Sequence, residues 1–130
     1  MSTRVLYNGE GGKALTGRSM GWKTELDTDL WVFPRGIERD GAAEDLSYKW
    51  KSRYGSIIAS GYGVSTTDGL NEKGLVANVL WLVESGYPSI EKGHPSISLS
   101  IWAQYVLDNF ATVTETVEAP DLDLFSDPGR

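Results

Sequence analysis

Short apolar segments separated by turns that contain Gly, Asn or Asp dominate the first two thirds of the chain, a pattern typical of antiparallel strands. Residues 2–7 and 14–18 flank a glycine-rich turn and predict a β-hairpin, because glycine reaches the positive φ angles of tight turns without strain. Such a hairpin would bring Ser2 close to Arg18. Further strands are predicted, in chain order, at residues 30–33, 56–60, 63–67 and 75–83, the last two forming a second hairpin across residues 68–74.

The last third of the chain changes to helical spacing. From Ser98 onward, apolar residues recur at the period of an α-helix, and neither Gly nor Pro intervenes before Pro120. Thr112 followed by Glu115 matches a capping box, in which the side chain of the first residue accepts a hydrogen bond from a free backbone amide of the helix. A second short helix is therefore predicted over residues 113–119. The pattern as a whole predicts mostly antiparallel strands followed by helix.

Composition is that of an ordinary globular domain, since 40% of the 130 residues are hydrophobic and 23% are charged. A chain of this length supplies one core, so we expect one domain or part of one over residues 1–118, followed by an irregular acidic tail over residues 119–130. Residues 40–45 predict an acidic loop. The net charge of −6, without a cluster of Lys and Arg, argues against nucleic acid and anionic membranes as partners.

Several classes of site find no support in the residue types. The chain contains no cysteine, which excludes disulfides, zinc–thiolate sites and a thiol nucleophile. His94 lies between Gly93 and Pro95 without a second histidine, so we expect it to be solvated. No calcium-loop or phosphate-loop spacing is present, and no cofactor is expected. The chain has no apolar stretch of membrane-spanning length and no signal-peptide pattern, which favours a cytoplasmic location.

Position 2 offers a specific chemistry. Ser2 follows Met1 directly and is small enough for the methionine to be removed, which would expose the α-amine of Ser2 at the start of a strand. An α-amine titrates at about pH 8, so it can act as general base toward the hydroxyl of its own residue through a bridging water. This is the chemistry of N-terminal nucleophile hydrolases. The alternative is that Ser2 has no catalytic role, because serine after an initiating methionine is common.

Five motifs follow one another along the chain: TRVLY at residues 3–7, TGRSM at 16–20 followed by Trp22, WVFPRG at 31–36, DGLNEKGL at 68–75 and WAQYVLD at 102–108. Together these motifs resemble the choloylglycine hydrolase family, which contains conjugated bile salt hydrolases and penicillin V acylases. The resemblance runs in register from Met1 to about Glu118. It implies an α+β fold, the αββα sandwich of N-terminal nucleophile hydrolases, of which this chain would form the N-terminal part. It also implies hydrolysis of the C–N bond of linear amides.

The resemblance also implies roles for individual residues. The family has a catalytic cysteine at the position of Ser2, and Arg18 would stand beside it, where a guanidinium stabilises a developing negative charge. An aspartate that orients the amine of the nucleophile is replaced by Gly21. Trp22 and Trp81 are expected to line an aromatic acyl-binding pocket. The alternative for both tryptophans is ordinary core packing.

Three hypotheses follow for function. The first is an impaired linear amide hydrolase with Ser2 and Arg18 as catalytic residues, acting on bile salt conjugates, penicillin V or acyl-homoserine lactones. The second is a catalytically inactive homologue that binds acyl ligands. The third is a truncated chain without independent function. The expected partners are a small-molecule N-acyl amide and either a second copy of the chain or a complementing C-terminal chain that covers the exposed strands.

Overall fold

The computed structural model describes residues 2–87, 92–119 and 125–126, and its backbone divides them into two compact units. We call the first the hairpin unit; it contains the chain up to Leu26 together with Leu80–Ser85. The second, the sheet–helix unit, contains Asp27–Val79 and the described residues from Gly86 onward. Each unit contains part of the sequence motifs described above.

The hairpin unit is built on the predicted β-hairpin. Strands β1 (Thr3–Asn8) and β2 (Ala14–Ser19) pair antiparallel. The connection between them contains a short 3₁₀ turn in which Gly11 and Gly12 adopt φ angles of 71° and 76°. These angles lie in the left-handed region that favours glycine, which confirms the reason for expecting a turn at this point.

The sheet–helix unit contains the remaining elements. Its main sheet has four antiparallel strands in the order β3-β6-β7-β8, and a separate two-stranded sheet is formed by β4 and β5. In chain order the elements are β3 (Leu30–Phe33), β4 (Glu38–Asp40), β5 (Lys49–Lys51), β6 (Ser56–Gly61), β7 (Ser65–Asn71), β8 (Val76–Asn78), β9 (Ile97–Ser98), α1 (Leu99–Asn109), α2 (Val113–Glu118) and β10 (Phe125–Ser126).

The second predicted hairpin is confirmed, but its turn is shorter than expected. β7 extends through Asn71, whose side-chain Oδ1 accepts hydrogen bonds from the amides of Lys73 and Leu75, both at 3.0 Å. This side chain closes the turn, and Gly74 adopts a φ of 87° within it. The predicted strand over residues 75–83 is wrong in its second half, because β8 ends at Asn78.

The strands β4 and β5 were missed, and residues 40–45 are a loop only after Asp40. β4 reads Glu-Arg-Asp and shows no apolar alternation, so no periodic signal marks it as a strand. It is held by pairing with β5, in which the buried Trp50 lies opposite Arg39. Tertiary contacts, rather than local sequence preference, produce this pair of strands.

Both helices are confirmed close to their predicted bounds. Ser98 caps α1, its hydroxyl accepting from the amide of Ser100 at 3.3 Å. Thr112 caps α2 by accepting from the amide of Glu115 at 3.1 Å, while a carboxylate oxygen of Glu115 accepts from the amide of Ala111 at 2.8 Å. α2 ends at Glu118, one residue before the predicted end.

The core lies where α1 packs on one face of the main sheet. Ile97 and Leu107 are fully buried, and a Cβ added at Gly69 of β7 would collide with Leu107 Cδ1 of the helix. Tyr105 packs edge-to-face on Trp50 with ring centroids 5.2 Å apart, which joins the helix to β5. Helix and sheet therefore approach as closely as the absence of a side chain at position 69 allows.

The opposite face of the main sheet is apolar and open. The pairing register places Val32, Ile57 and Leu70 side by side on it, and they are 74%, 53% and 47% exposed. Side chains alternate between faces along a strand, so their neighbours Ile58 and Gly69 belong to the face that α1 covers. The unit thus has one covered and one uncovered face.

Residues 119–130 were expected to be an irregular tail. Within that range the structure describes Ala119 and the two-residue strand β10, which pairs in parallel with β9. Residues 120–124 and 127–130 lie outside the described residues. In the described part of the chain, neither helix has the length and apolar character needed to span a bilayer.

Candidate active site

The candidate nucleophile and its candidate partner lie on one face of the hairpin. Ser2 directly precedes β1 and is partly buried, and Arg18 of β2 is also partly buried. Arg4 is paired directly with Arg18, and the side chains of a cross-strand pair point to the same side of the sheet. Because side chains alternate along a strand, Ser2 shares the face of Arg4. In this register Ser2 and Arg18 are diagonal neighbours whose backbones lie about 7–8 Å apart. This agrees with the predicted proximity of the two residues.

Arg4 is a basic residue of this face that the sequence analysis did not single out. Its side chain is exposed, and its Nε donates a hydrogen bond to Thr16 Oγ1 at 3.1 Å. Reading β1 in steps of two from Ser2 would have found it, since that alternation marks one face of a strand. The motif at residues 3–7 therefore marks the family and also carries a residue on the face of Ser2.

Gly21 follows this hairpin at the position where the resemblance implies an aspartate. It is exposed and has no side chain, so it offers no carboxylate to orient an amine. The chemical consequence is that the hydroxyl and the α-amine of residue 2 lack a carboxylate partner from this position.

The two tryptophans implied to bind an acyl group are in contact. The rings of Trp22 and Trp81 meet edge-to-face, with centroids 6.0 Å apart and an interplanar angle of 83°. Trp22 is 49% exposed and Trp81 is 61% exposed, which does not fit the alternative of core packing. Both belong to the hairpin unit, so this unit contains the hydroxyl, the guanidinium and an open aromatic surface.

The residue types around the hairpin face define the chemistry that it can support. Among the residues that the structure describes, no group of three or more His, Cys, Asp and Glu side chains could hold a metal ion. His94 belongs to the sheet–helix unit and is exposed, as expected from its position in a loop. The face of the hairpin includes the hydroxyl of Ser2 and the guanidiniums of Arg4 and Arg18, residue types that suit attack on a carbonyl and stabilisation of an anion.

Comparison with known families decides the relationship. A family model described as linear amide C–N hydrolases, choloylglycine hydrolase family, matches residues 2–121. The chain belongs to this family. A match over nearly the whole chain confirms the resemblance seen in the ordered motifs.

Individual relatives agree with this assignment. A penicillin V acylase of Pectobacterium atrosepticum is 52% identical over 112 residues, which cover 81% of this chain and 30% of the relative. The solved structure of penicillin V acylase from Agrobacterium tumefaciens superimposes with a TM-score of 0.89 at 56% identity, covering 98% of this chain and 40% of that one. A mutant conjugated bile acid hydrolase from Clostridium perfringens superimposes with a TM-score of 0.78 at 23% identity, also over 98% and 40%.

These likenesses confirm the fold class. The chain has the α+β fold of the N-terminal nucleophile hydrolases, here as mostly antiparallel strands followed by helices. It spans 30% of the length of the Pectobacterium relative and 40% of each solved chain. The roles of Ser2, Arg18, Trp22 and Trp81 stay predictions.

Proposed function

We propose that this chain carries the nucleophile and the acyl-binding residues of an amidase for N-acyl amides with an aromatic acyl group, of which penicillin V is the representative. The observation that carries the proposal is the position of Ser2 and Arg18 on one face of the β1–β2 hairpin, in the same unit as the Trp22–Trp81 pair. Nucleophile, anion-stabilising group and aromatic surface are the parts that acyl transfer from such a substrate needs.

The reaction proceeds through an acyl-enzyme when Ser2 is the first residue. The hydroxyl oxygen of Ser2 attacks the amide carbonyl while the α-amine of the same residue takes the hydroxyl proton through a water. The tetrahedral intermediate carries a negative charge, and it collapses as the α-ammonium gives the proton to the leaving nitrogen. A water molecule, activated by the α-amine, then hydrolyses the ester at Ser2 and releases the carboxylic acid.

Arg18 supports this sequence electrostatically. A guanidinium lowers the energy of the negative charge that develops on the nucleophile and the carbonyl oxygen, and it offers a fixed fork of hydrogen-bond donors. Pairing between β2 and β1 fixes the backbone of Arg18. The side chain of Arg18 lies on the face of the hairpin that carries Ser2. This rigid support is what a group acting on a transition state requires.

The tryptophan pair favours an aromatic acyl group over a bile acid. An edge-to-face pair with open ring faces suits the phenoxy ring of penicillin V, which can stack on either indole. The two relatives above 50% identity are named penicillin V acylases, whereas the bile acid hydrolase is 23% identical. Both observations support penicillin V as the first substrate to test.

Activity is expected to be slow, because two groups differ from the family pattern. A hydroxyl forms far less anion near neutral pH than a thiol does, and Gly21 offers no carboxylate to orient the amine. Ser2→Cys should therefore raise kcat/KM for penicillin V by at least about tenfold, and Gly21→Asp should raise it by a smaller factor. The release of 6-aminopenicillanic acid by the full chain lacking Met1 measures both changes.

The proposal also predicts two losses. Ser2→Ala should abolish acyl transfer, and Arg18→Gln should lower kcat by about a hundredfold, the scale of removing one group that stabilises the oxyanion. Lys23→Gln, an exposed residue of the same unit, serves as the charge-matched control for Arg18. Equal activity in the wild type and in Ser2→Ala would refute Ser2 as the nucleophile.

A second candidate function is an inactive homologue that binds acyl ligands, and Gly21 is the observation that favours it. In that case penicillin V changes the fluorescence of Trp22 and Trp81, while no variant and no preparation releases 6-aminopenicillanic acid. A flat fluorescence titration together with absent turnover would reject both candidates.

The amidase is further proposed to act as an assembly. The open face of the main sheet carries Val32, Ile57 and Leu70, and apolar faces of this kind mark surfaces that other chains cover. A second copy or a complementing C-terminal chain would bury it. Light scattering of the purified chain should give a mass above that of one copy, and Ile57→Glu should lower it; a monomer in both samples would contradict self-association.

A further inference from the structure

The face of the hairpin that carries Ser2 has an unusual pairing of like charges. Arg4 and Arg18 are direct cross-strand partners, so their guanidinium groups project to the same side of the sheet. Like charges placed opposite each other destabilise a strand pair. A pair of this kind is stabilised when an anion lies between or beside the two groups, since each guanidinium then gains charge-assisted hydrogen bonds.

One hydrogen bond holds the side chain of Arg4 and leaves part of its guanidinium accessible to a ligand. Its Nε donates to Thr16 Oγ1 at 3.1 Å, and Thr16 stands on β2 one pair further along the same face. This contact occupies the Nε edge of the guanidinium and directs the Nη1–Nη2 fork away from Thr16. The side chain is exposed, so the fork is accessible to a ligand. A planar fork of this kind matches the two oxygens of a carboxylate.

The position of Arg4 also sets its distance from the reacting bond. Two residues along a strand correspond to about 6.8 Å, so Arg4 lies roughly that far from Ser2 on the same face. One substrate can therefore reach both residues, if its carboxylate is bound by Arg4 and lies several bonds away from the carbonyl that Ser2 attacks. The aromatic acyl half is assigned to the tryptophan pair, which leaves the amine half for a charged partner.

We propose that Arg4 is the specificity residue that binds the carboxylate of the amine half of the substrate. The inference rests on the proposed function and narrows its substrate class to N-acyl amides whose leaving amine carries a carboxylate, as penicillin V does. Arg18 stabilises the developing oxyanion, and Arg4 binds the negatively charged carboxylate of the substrate. Amides of neutral amines bind without this contact.

Penicillin V and its methyl ester test the proposal, because they differ only in the carboxylate. For the wild-type chain lacking Met1, kcat/KM should be at least about tenfold higher for penicillin V than for the ester. Arg4→Gln should abolish this preference by raising KM for penicillin V while leaving the ester unchanged within about twofold. Lys13→Gln, which removes the same charge from an exposed position in the turn of the hairpin, should retain the preference.

Two further variants protect the test from misinterpretation. Arg4→Lys keeps the charge without the fork and should recover part of the preference, whereas a purely structural role of Arg4 would alter both substrates equally. Isothermal titration of Ser2→Ala with the two ligands, with and without Arg4→Gln, measures the same contact in the absence of turnover. If neither ligand is hydrolysed but the binding preference is lost with Arg4, the proposed function fails and this inference stands. Equal losses for acid and ester, or a preference that survives Arg4→Gln, would overturn the inference.

Discussion

The two units of the chain are built in opposite ways. The sheet of the hairpin unit has only two strands among the described residues. All described residues of this unit, including Ser2 and the tryptophan pair, are exposed or partly buried. In the sheet–helix unit a four-stranded sheet carries a helix whose residues Leu107 and Asp108 are fully buried. Exposed polar side chains suit contact with a substrate, whereas a packed helix and sheet supply stability. The comparison therefore shows the candidate site residues in one unit and most of the stabilising contacts in the other.

A buried polar network makes the contrast sharper. The carboxylate of Asp108 accepts hydrogen bonds from Trp50 Nε1 and Gln104 Nε2, both at 2.8 Å, and from Arg39 Nε at 3.2 Å. Burial raises the pKa of Asp108, while the three donors and the charge of Arg39 favour its ionised form. The network joins α1 to β4 and β5, the strands that the sequence pattern did not reveal.

The largest effect on stability is expected at this network. Asp108→Ala leaves the largely buried guanidinium of Arg39 without its partner, and breaking a buried ion pair from one side costs about 3–5 kcal/mol of the free energy of unfolding. Urea denaturation followed by circular dichroism measures it. Glu38→Gln, an exposed residue of the same strand as Arg39, is the control and should change stability by less than about 0.5 kcal/mol. A cost below that control would remove the basis of the comparison.

Each unit has a glycine within a strand, and substitution of these two glycines compares how tightly the units are packed. A Cβ at Gly69 in the sheet–helix unit would collide with Leu107 Cδ1 and lie 2.8 Å from Ile58 Cγ2, whereas a Cβ at Gly17 in the hairpin unit meets nothing within 4 Å. Gly69→Ala should therefore lower the free energy of unfolding by about 1–3 kcal/mol, and Gly17→Ala should change it by less than about 0.5 kcal/mol. Thermal melts of both variants check this. Similar losses for the two would show that both units are packed equally tightly.

The smallest effect is expected at the exposed rim of the sheet–helix unit. Glu72 forms an ion pair with Arg35 and accepts from the amide of Gly55 at 2.7 Å, and these contacts lower its pKa to about 2. A carboxyl with a lowered pKa stabilises the fold above its unfolded value, and this contribution is lost as the pH falls toward 2. Glu72→Gln should make the stability less dependent on pH between 4.5 and 2. An unchanged pH profile in the variant would show that the pair contributes nothing.

Sequence reasoning reached the local features of both units and missed those that depend on distant contacts. The hairpin at Gly11, the capping of α2 by Thr112 and the strand β3 all follow from neighbouring residues, and all are present. β4 has no apolar alternation and exists because β5 pairs with it. The apolar run of residues 79–83 continues past Asn78, where β8 ends opposite Asp68 of β7.

The candidate site divides in the same way. Ser2 is marked by its place after Met1, and the family resemblance adds Arg18, Trp22 and Trp81; the structure has all four in one unit. Alternation along β1 places Arg4 on the face of Ser2, but only the pairing register shows that Arg4 lies opposite Arg18. Local patterns thus locate candidate residues, while the strand register shows which of them share a face of the sheet.

The central claim is that the hydroxyl of Ser2 attacks the substrate carbonyl. Intact-mass spectrometry of the chain lacking Met1, quenched in acid during reaction with penicillin V, tests it most directly. The account predicts an added phenoxyacetyl group that maps to Ser2, is absent in Ser2→Ala, and is lost with time as water hydrolyses the ester. Turnover of penicillin V without any acyl adduct, or with the adduct at another residue, would contradict it.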